Sequence, residues 1–509
     1  MKSRLNAVLE QSIREHWDLP ALSNFQGETF TYGQVAQQIA RYHQMWQAEG
    51  YQPGFRIAIC GRNSAQWSIA LLAAFTYGAV AVPLLHEFTP EMVERLVAHS
   101  ESKVLLTNKE LVTLSDCPAI GPDDVHYYRH QPDELLMINY TSGTTSDPKG
   151  VMIPERAMWS NMAFAEQVLP NLHAGQKVVS LLPTAHLYGM AFELMYEFCI
   201  GVHITFITTA LAAPTILKAF KEVKPIIVIV VPMLIEKIVR KGILPRYNDP
   251  KMRMLRKVPM VRNTINAKFR EGLMEALGGN LYEVIIGGAA LNAEVEEVLR
   301  EIKFPYTVGY GMTECSPIIG YADWKDFERS SCGKAVPRME VRIDSPDPHN
   351  EPGEILTRGM NVMLGYYKNN EATRRAIDAD GWLHTGDMGV IDSVGNIFIR
   401  GRIKNMLLSG SGQNIYPEEI EAEVNNLPFV IESVVVQREH RLVALVYPDR
   451  DAARAAGLAD DGDLLAKFES ERKSVNRKFP VYSQVNAFQL VDQEFEKTPK
   501  KSIKRFMYR

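Results

Sequence analysis

LLMINYTSGTTSDPKG, residues 135 to 150, sets a short apolar run directly against a run of small polar residues. Leu135 to Tyr140 has the length and composition of a buried strand. In Tyr140 to Gly150, seven of eleven residues are Ser, Thr or Gly. Small residues let backbone N–H groups close on an anion, hydroxyls add donors, and Lys149 adds a positive charge. By its chemistry this is a phosphate-binding loop. It is not the Gly-x-x-x-x-Gly-Lys-Ser/Thr loop, because no Gly-Lys-Ser/Thr opens a helix here. A flexible linker is the plain alternative, but a linker has no reason to follow a buried strand and close on Pro-Lys-Gly.

Similar strand-like runs recur on both sides: Phe55 to Cys60, Val104 to Thr107, Val178 to Leu182, Ile226 to Val231 and Leu281 to Ile286. Several are rich in Val and Ile, as buried parallel strands are. Helical patterns lie between them, such as Met92, Val93, Leu96 and Val97. Ile69 to Leu85 reads as a helix, a turn and a buried strand. This alternation predicts an α/β fold with helices on both faces of the sheet. After about residue 330 the texture changes to short strands separated by Gly, Pro, Asp and Asn: Val341 to Ile343, Gly353 to Leu356, Gly389 to Ile391 and Asn396 to Ile399. From about Arg402 a small α+β unit follows. Pro417 to Val424 reads as a helix with Pro and acids in its first turn, and Ser433 to Gln437 and Leu442 to Tyr447 read as strands. The expected architecture is a large N-terminal domain of mixed α/β sheets over residues 1–401, β-rich from about 330. A small mobile α+β domain over residues 402–509 completes it, with the boundary near Gly401 to Asn405.

Tyr140 to Gly150 resembles the phosphate loop of the adenylate-forming superfamily, which includes acyl-CoA synthetases, peptide-synthetase adenylation domains and firefly-type luciferases. Further runs match in the same order: LPTAHLYG (182–189), GGAAL (287–291), YGMTE (310–314), WLHTGD (382–387), GRIKN (401–405) and EFEKTPKKSIKR (494–505). The opening GETFTYGQV (27–35) is similar as well. Each run alone is weak evidence, whereas the ordered set is specific.

The resemblance implies an ATP and AMP site built from Thr141, Ser142, Gly143, Thr144, Thr145, Lys149, Gly288, Ala289, Ala290, Tyr310, Gly311, Thr313, Asp387, Ile399 and Arg402. GGAAL follows a strand, at the carboxyl end where open α/β sheets bind ligands, and would carry the adenine with Tyr310 on its other face. Thr313 would donate to the α-phosphate, and Glu314 would hold Mg²⁺, a hard cation that takes carboxylate and phosphate oxygens. Asp387 and Arg402 would hold the ribose, and His186 would gate the carboxylate pocket. Lys404 is the implied hinge, and Ser409, Gly410, Ser411 and Gly412 the coenzyme A loop. The pattern departs at one place. Many relatives end in Thr-x-x-Gly-Lys, and aligned on Thr498 that Lys falls at Ser502, with Lys500 and Lys501 before it. Either Lys501 substitutes or the first half-reaction is impaired.

The implied reaction is ATP-dependent activation of a carboxylic acid to an acyl-adenylate, followed by transfer to coenzyme A. SGQNIYPEEIE (411–421) with the C-terminal run looks most like the long-chain fatty acid–CoA ligases, as does the longer SGSG loop at 409–412. Two alternatives stay open: a ligase using another acid or a carrier-protein acceptor, and a nucleotide-binding protein with impaired catalysis. A nicotinamide-dependent dehydrogenase is disfavoured because no Gly-x-Gly-x-x-Gly follows a strand.

The chain of 509 residues carries 56 Lys+Arg against 60 Asp+Glu, a net charge of −4. That balance argues against nucleic-acid binding as the main business, but it hides local fields. Lys237 to Arg270 holds eleven cations and one acid, Asp249, and Lys497 to Arg509 holds six cations and no acid. The first zone, with Arg253, Arg256 and Lys257 as candidate surface cations, is open to three readings: a peripheral membrane contact, a coenzyme A contact or a solvated face. Five scattered cysteines with no Cys-x-x-Cys pair suit a reducing compartment. No apolar run is long enough for a signal peptide or a membrane span. The expected setting is the cytoplasm, with a peripheral place on the inner membrane face as the variant. Oligomeric state is not legible.

Overall fold

The computed structural model describes residues 4–141, 148–209, 211–409, 413–439, 441–497 and 503–508. Among these, the strands of the large domain form several stacked sheets. A six-stranded sheet takes the order Gly365–Tyr366, Lys149–Pro154, Leu135–Thr141, Val80–Leu84, Arg56–Cys60, Val104–Thr107. A four-stranded sheet runs Thr29–Thr31, Pro20–Asn24, His203–Phe206, Lys177–Ser180. A three-stranded parallel sheet runs Ile227–Val230, Glu283–Ile286, Tyr306–Val308. The helix Ala65–Tyr77 is buried on all sides because it packs against strands of the first two sheets at once. Its start is fixed by Ser64, whose hydroxyl accepts the Trp67 N–H at 3.1 Å.

Leu135–Thr141 departs from the expected parallel setting. It runs parallel to Val80–Leu84 on one side and antiparallel to Lys149–Pro154 on the other. The return strand KGVMIP was hidden because it opens on Lys-Gly, closes on Pro and shows no alternation. Thr141 and Lys149 are therefore cross-strand partners flanking residues 142–147.

The β-rich part is antiparallel, in the order Met339–Asp344, Gly353–Gly359, Leu383–Ile391, Ile397–Arg402. Leu383–Ile391 is longer than the sequence predicts, since the polar HTGD residues disguise its first half. The smaller C-terminal unit is a three-stranded sheet, Val430–Arg438, Arg441–Pro448 and Val485–Leu490, with its own apolar core. The helix Pro417–Val424 falls where the sequence places it, with Glu418 and Glu419 in its first turn. No helix among the described residues is long and apolar enough to cross a membrane.

Candidate active site

The site begins at the hairpin of Leu383–Ile391 and Ile397–Arg402, whose register sets Asp387 opposite Arg402. Directly opposed antiparallel residues share a face, so the two side chains meet. Arg402 Nε lies 2.8 Å from Asp387 Oδ1, and the Tyr310 hydroxyl donates to Oδ2 at 2.8 Å. The Asp387 N–H donates to Thr385 Oγ1 at 3.1 Å, which fixes the turn of the backbone below the carboxylate. Burial pushes the Asp387 carboxyl above its usual range, while the Arg402 guanidinium and the Tyr310 hydroxyl pull it back. Each oxygen keeps acceptor capacity beyond these contacts.

Tyr310 also joins this corner to the parallel sheet. The N–H of Gly309 donates to Ile286 O at 2.8 Å, so Tyr310 starts beside the turn that follows Glu283–Ile286. That turn is GGAAL. Gly287 must be Gly, because a Cβ there would come within 2.8 Å of the Tyr188 ring. Gly288 takes φ +87°, which glycine adopts without strain, and Gly288, Ala289 and Ala290 are exposed. Tyr188 belongs to LPTAHLYG, so two of the sequence runs touch through this ring. The same run is held from behind by Glu193, whose carboxylate accepts Leu181 N, Leu182 N and Ser180 Oγ at 2.9–3.1 Å. His186 stands half-buried at the start of the short helix Leu187–Met190. Asn139, on the strand Leu135–Thr141, donates to Ala185 O at 2.8 Å and ties the residue before His186 to that strand.

Thr313 and Glu314 lie in a 3₁₀ turn, Thr313–Cys315. The Tyr366 hydroxyl donates to Glu314 Oε1 at 2.9 Å, and Lys149 Nζ sits 4.8 Å above the Tyr366 ring. Gly365–Tyr366 pairs with Val151 and Met152, so Tyr366 bridges from the strand after the loop to Glu314. Burial and the Glu314 charge push its phenol upward. Among the described residues no group of three or more acids, His or Cys converges on one point. Glu314 offers a carboxylate that fits a Mg²⁺ taking its remaining ligands from phosphate and water.

Below Arg402 the chain crosses to the C-terminal unit. Asn405 Nδ2 donates to Glu418 Oε1 at 2.6 Å, and Arg400 pairs with Glu419 at 3.5 Å. Burial, with Arg402 beside it, pulls the Lys404 ammonium below its usual range. Two contacts close the gap from the other side: Asn292 Nδ2 to Asn426 Oδ1 at 2.6 Å, and Arg240 to Asn425 O at 3.3 Å.

The family model described as AMP-binding enzyme matches residues 9–367, well over half of the chain. The chain belongs to the AMP-binding enzyme family. It is similar to a 4-coumarate–CoA ligase of Humulus lupulus, 25% identical over 99% of this chain and 93% of that one. It is also similar to a long-chain-fatty-acid–CoA ligase of Mycobacterium bovis, 27% identical over 90% of this chain and 86% of that one. ATP-bound MatB from Rhodopseudomonas palustris superposes with a TM-score of 0.79 at 21% identity, covering 100% of this chain and 98% of that one. The mixed α/β body with its smaller C-terminal domain is the fold of the adenylate-forming enzymes.

In this AMP-binding enzyme, then, Tyr310, Asp387 and Arg402 share one corner, and Gly288 to Ala290 follow the strand whose end bonds the residue before Tyr310. Ile399 is partly exposed on the same hairpin, and Gly311 follows Tyr310 on its short strand. Ser142, Gly143, Thr144 and Thr145 of the loop lie outside the described residues, as do Gly410, Ser411 and Gly412, and Lys500 and Lys501. Their described neighbours are ordered by pairing: Ser409 N donates to Gln413 O at 2.9 Å, and Lys497 bridges Ile503. Sequence reasoning missed Tyr366 and Glu193. Tyr366 shows only as one of two tyrosines after a glycine, and Glu193 as an acid within an apolar helix, a pattern that signals burial but not a partner.

Proposed function

We propose that this AMP-binding enzyme is an AMP-forming acid–thiol ligase whose acid is a long-chain fatty acid. A carboxylate oxygen attacks the α-phosphorus of ATP in line, the bond to the β-phosphate oxygen breaks, and pyrophosphate leaves. The thiol of coenzyme A then attacks the acyl carbonyl carbon, AMP leaves, and the thiol proton passes to solvent. The observation that carries this reading is the Asp387 corner, a buried carboxylate with Arg402 and Tyr310 beside the GGAAL turn. Such a corner suits a ribose diol, with Asp387 accepting from the hydroxyls and Arg402 keeping it charged. Tyr310 orients Asp387 and offers its ring to the adenine. Glu314, set by Tyr366, is the residue to hold Mg²⁺, which would spread the charge developing on the phosphates. Thr313 and Lys149 would contact the phosphates, with Thr141 to Thr145 forming the cradle. We place the domain boundary at residues 401 and 402, with Lys404 as hinge, His186 as gate and the 409–412 loop on coenzyme A. Lys501, or Lys500, is assigned the final cation of adenylation in place of Ser502.

The acid is the finer point. Long chains are favoured by the SGSG loop, the C-terminal run and the similarity to a long-chain ligase. An aryl acid such as 4-coumarate is the second reading, favoured by several plant 4-coumarate–CoA ligases at 25–28% identity. Exchange of labelled pyrophosphate into ATP, driven in turn by palmitate and by 4-coumarate, separates them. Exchange with neither acid, despite ATP binding, would favour impaired catalysis. Exchange without thioester on adding coenzyme A would point to another acceptor. Lys501→Ala should slow adenylation far more than thioester formation from supplied adenylate, and equal effects would remove that assignment.

A further inference from the structure

Residues 251 to 262 form a surface that no part of the proposed reaction uses. They cover the helix Pro250–Leu255, the bend after it and the start of Pro259–Ala276. Four large apolar side chains stand in solvent here: Met254 at 74% exposure, Leu255 at 49%, Val258 at 52% and Met260 at 83%. They fall within seven consecutive residues, from the end of one helix through the bend into the next, and form one exposed stretch. Four exposed cations flank them, Lys251, Arg253, Lys257 and Arg262. Among the described residues none of the four has an ion pair or a side-chain hydrogen bond. The one acid of the basic zone, Asp249, is already committed, because its carboxylate caps the helix by accepting Lys251 N and Met252 N.

Arg256, counted with the surface cations from sequence, turns out to serve the fold. Its side chain is 14% exposed, pairs with Glu301, donates to Tyr247 O at 3.2 Å and lies 3.4 Å over the Tyr247 ring. It anchors the bend and leaves the other cations to face outward.

We infer that this exposed stretch docks the enzyme on an anionic phospholipid surface. Exposed Met, Leu and Val cost solubility unless a partner buries them, and unpaired cations around them select a negatively charged one. A bilayer interface offers both an acyl boundary and a headgroup charge, and each cation near it strengthens binding about fivefold. Coenzyme A would use the cations and leave the apolar group without a purpose. The inference stands whichever acid the enzyme activates.

The test is sedimentation of the full chain with vesicles of phosphatidylcholine, with or without phosphatidylglycerol. Wild type should bind the anionic vesicles at least tenfold more tightly, and added salt should erase that preference. R253E/K257E should lose it, whereas M254S/M260S should weaken binding to both vesicles. All four positions are exposed, so melting temperatures should match wild type and report intact folding. Equal binding by wild type and both variants, or no binding to any vesicle, would overturn the proposal. So would a raised KM for coenzyme A in R253E/K257E with vesicle binding unchanged. A concentration-dependent dimer that M254S/M260S abolishes, without vesicle binding, would assign the surface to a second copy instead.

Discussion

Asp387 and Glu193 are two carboxylates of one domain that burial treats alike and surroundings treat differently. Asp387 is 3% exposed and Glu193 2%. Burial pushes both upward, as it does any acid moved away from water. Asp387 meets a guanidinium and a phenol. Glu193 meets only neutral donors, two backbone N–H groups and a serine, and rises to about 8. Cations therefore offset burial at the first, and the second becomes a neutral pin for the backbone that leads to His186. If Asp387 is the nucleotide-site acid proposed above, partners rather than burial separate it from a structural one.

The largest effect expected from this contrast is at Asp387. Asp387→Asn keeps the shape but removes the charge that answers Arg402. Acid-dependent pyrophosphate exchange should fall about 10²- to 10³-fold, the scale of losing a preorganised charged contact. Circular dichroism should remain that of wild type. Exchange within threefold of wild type would move the nucleotide away from this corner and erase the distinction between the two acids.

Only one side of this contrast was legible before the structure, because Asp387 falls in a motif and Glu193 does not. Asp387 and Arg402 came from the ordered motifs, since both lie outside the strands legible in sequence, and the hairpin register then sets them opposite each other. Tyr310 lies 77 residues from Asp387 in sequence, and only the ordered motifs brought them together. Tyr366 and Glu314 are 52 residues apart and had no such guide, because a buried tyrosine in sequence looks the same whether it fills space or holds an acid. Arg256 shows the limit of counting charge. Its guanidinium sums with the others in sequence, while the structure spends it on Tyr247 and Glu301. The helix Pro417–Val424 was legible to the residue because Pro and two acids mark its start, and KGVMIP was not because nothing in it alternates.

Glu193 gives the second effect, on stability instead of catalysis. The folded carboxyl keeps its proton up to about pH 8, whereas an unfolded glutamate releases it near 4.3. Between those values the native state holds more protons than the unfolded one. The contribution is fully present below about pH 4.5 and is lost as pH rises toward 8. Relative to Glu193→Gln, wild type should lose on the order of 2–3 kcal/mol between pH 5.5 and 8, read from denaturant midpoints. Parallel pH profiles for the two proteins would mean that Glu193 is ionised in place, and the contrast with Asp387 would collapse.

Arg402→Gln tests the other half of the corner. It leaves Asp387 held by the Tyr310 hydroxyl, without the larger of the two cationic influences that offset burial and with Lys404 as the other. Nucleotide affinity should fall about 10- to 100-fold, the range of a hydrogen bond to a charged group. The loss should grow at lower pH, because the less compensated Asp387 carboxyl then moves further up and takes a proton more readily. A loss that is constant with pH would show that Arg402 acts on the nucleotide directly and not through Asp387.

Tyr366→Phe gives the smallest effect and extends the comparison to a third acid. Glu314 sits between the two cases: it is half-buried, and the groups near it are a phenol and, beyond that ring, the Lys149 ammonium. Removing one hydroxyl deletes a single hydrogen bond to a charged acceptor, worth about 1.5 kcal/mol, and leaves the ring that Lys149 covers. If Glu314 is a metal-holding acid, the cost should appear as about a tenfold higher Mg²⁺ requirement at saturating ATP, with turnover at high Mg²⁺ little changed. If Glu314 is a pin like Glu193, the substitution should lower the melting temperature and leave the Mg²⁺ dependence where it was. The two readouts move apart, so one variant decides whether Glu314 belongs with Asp387 or with Glu193.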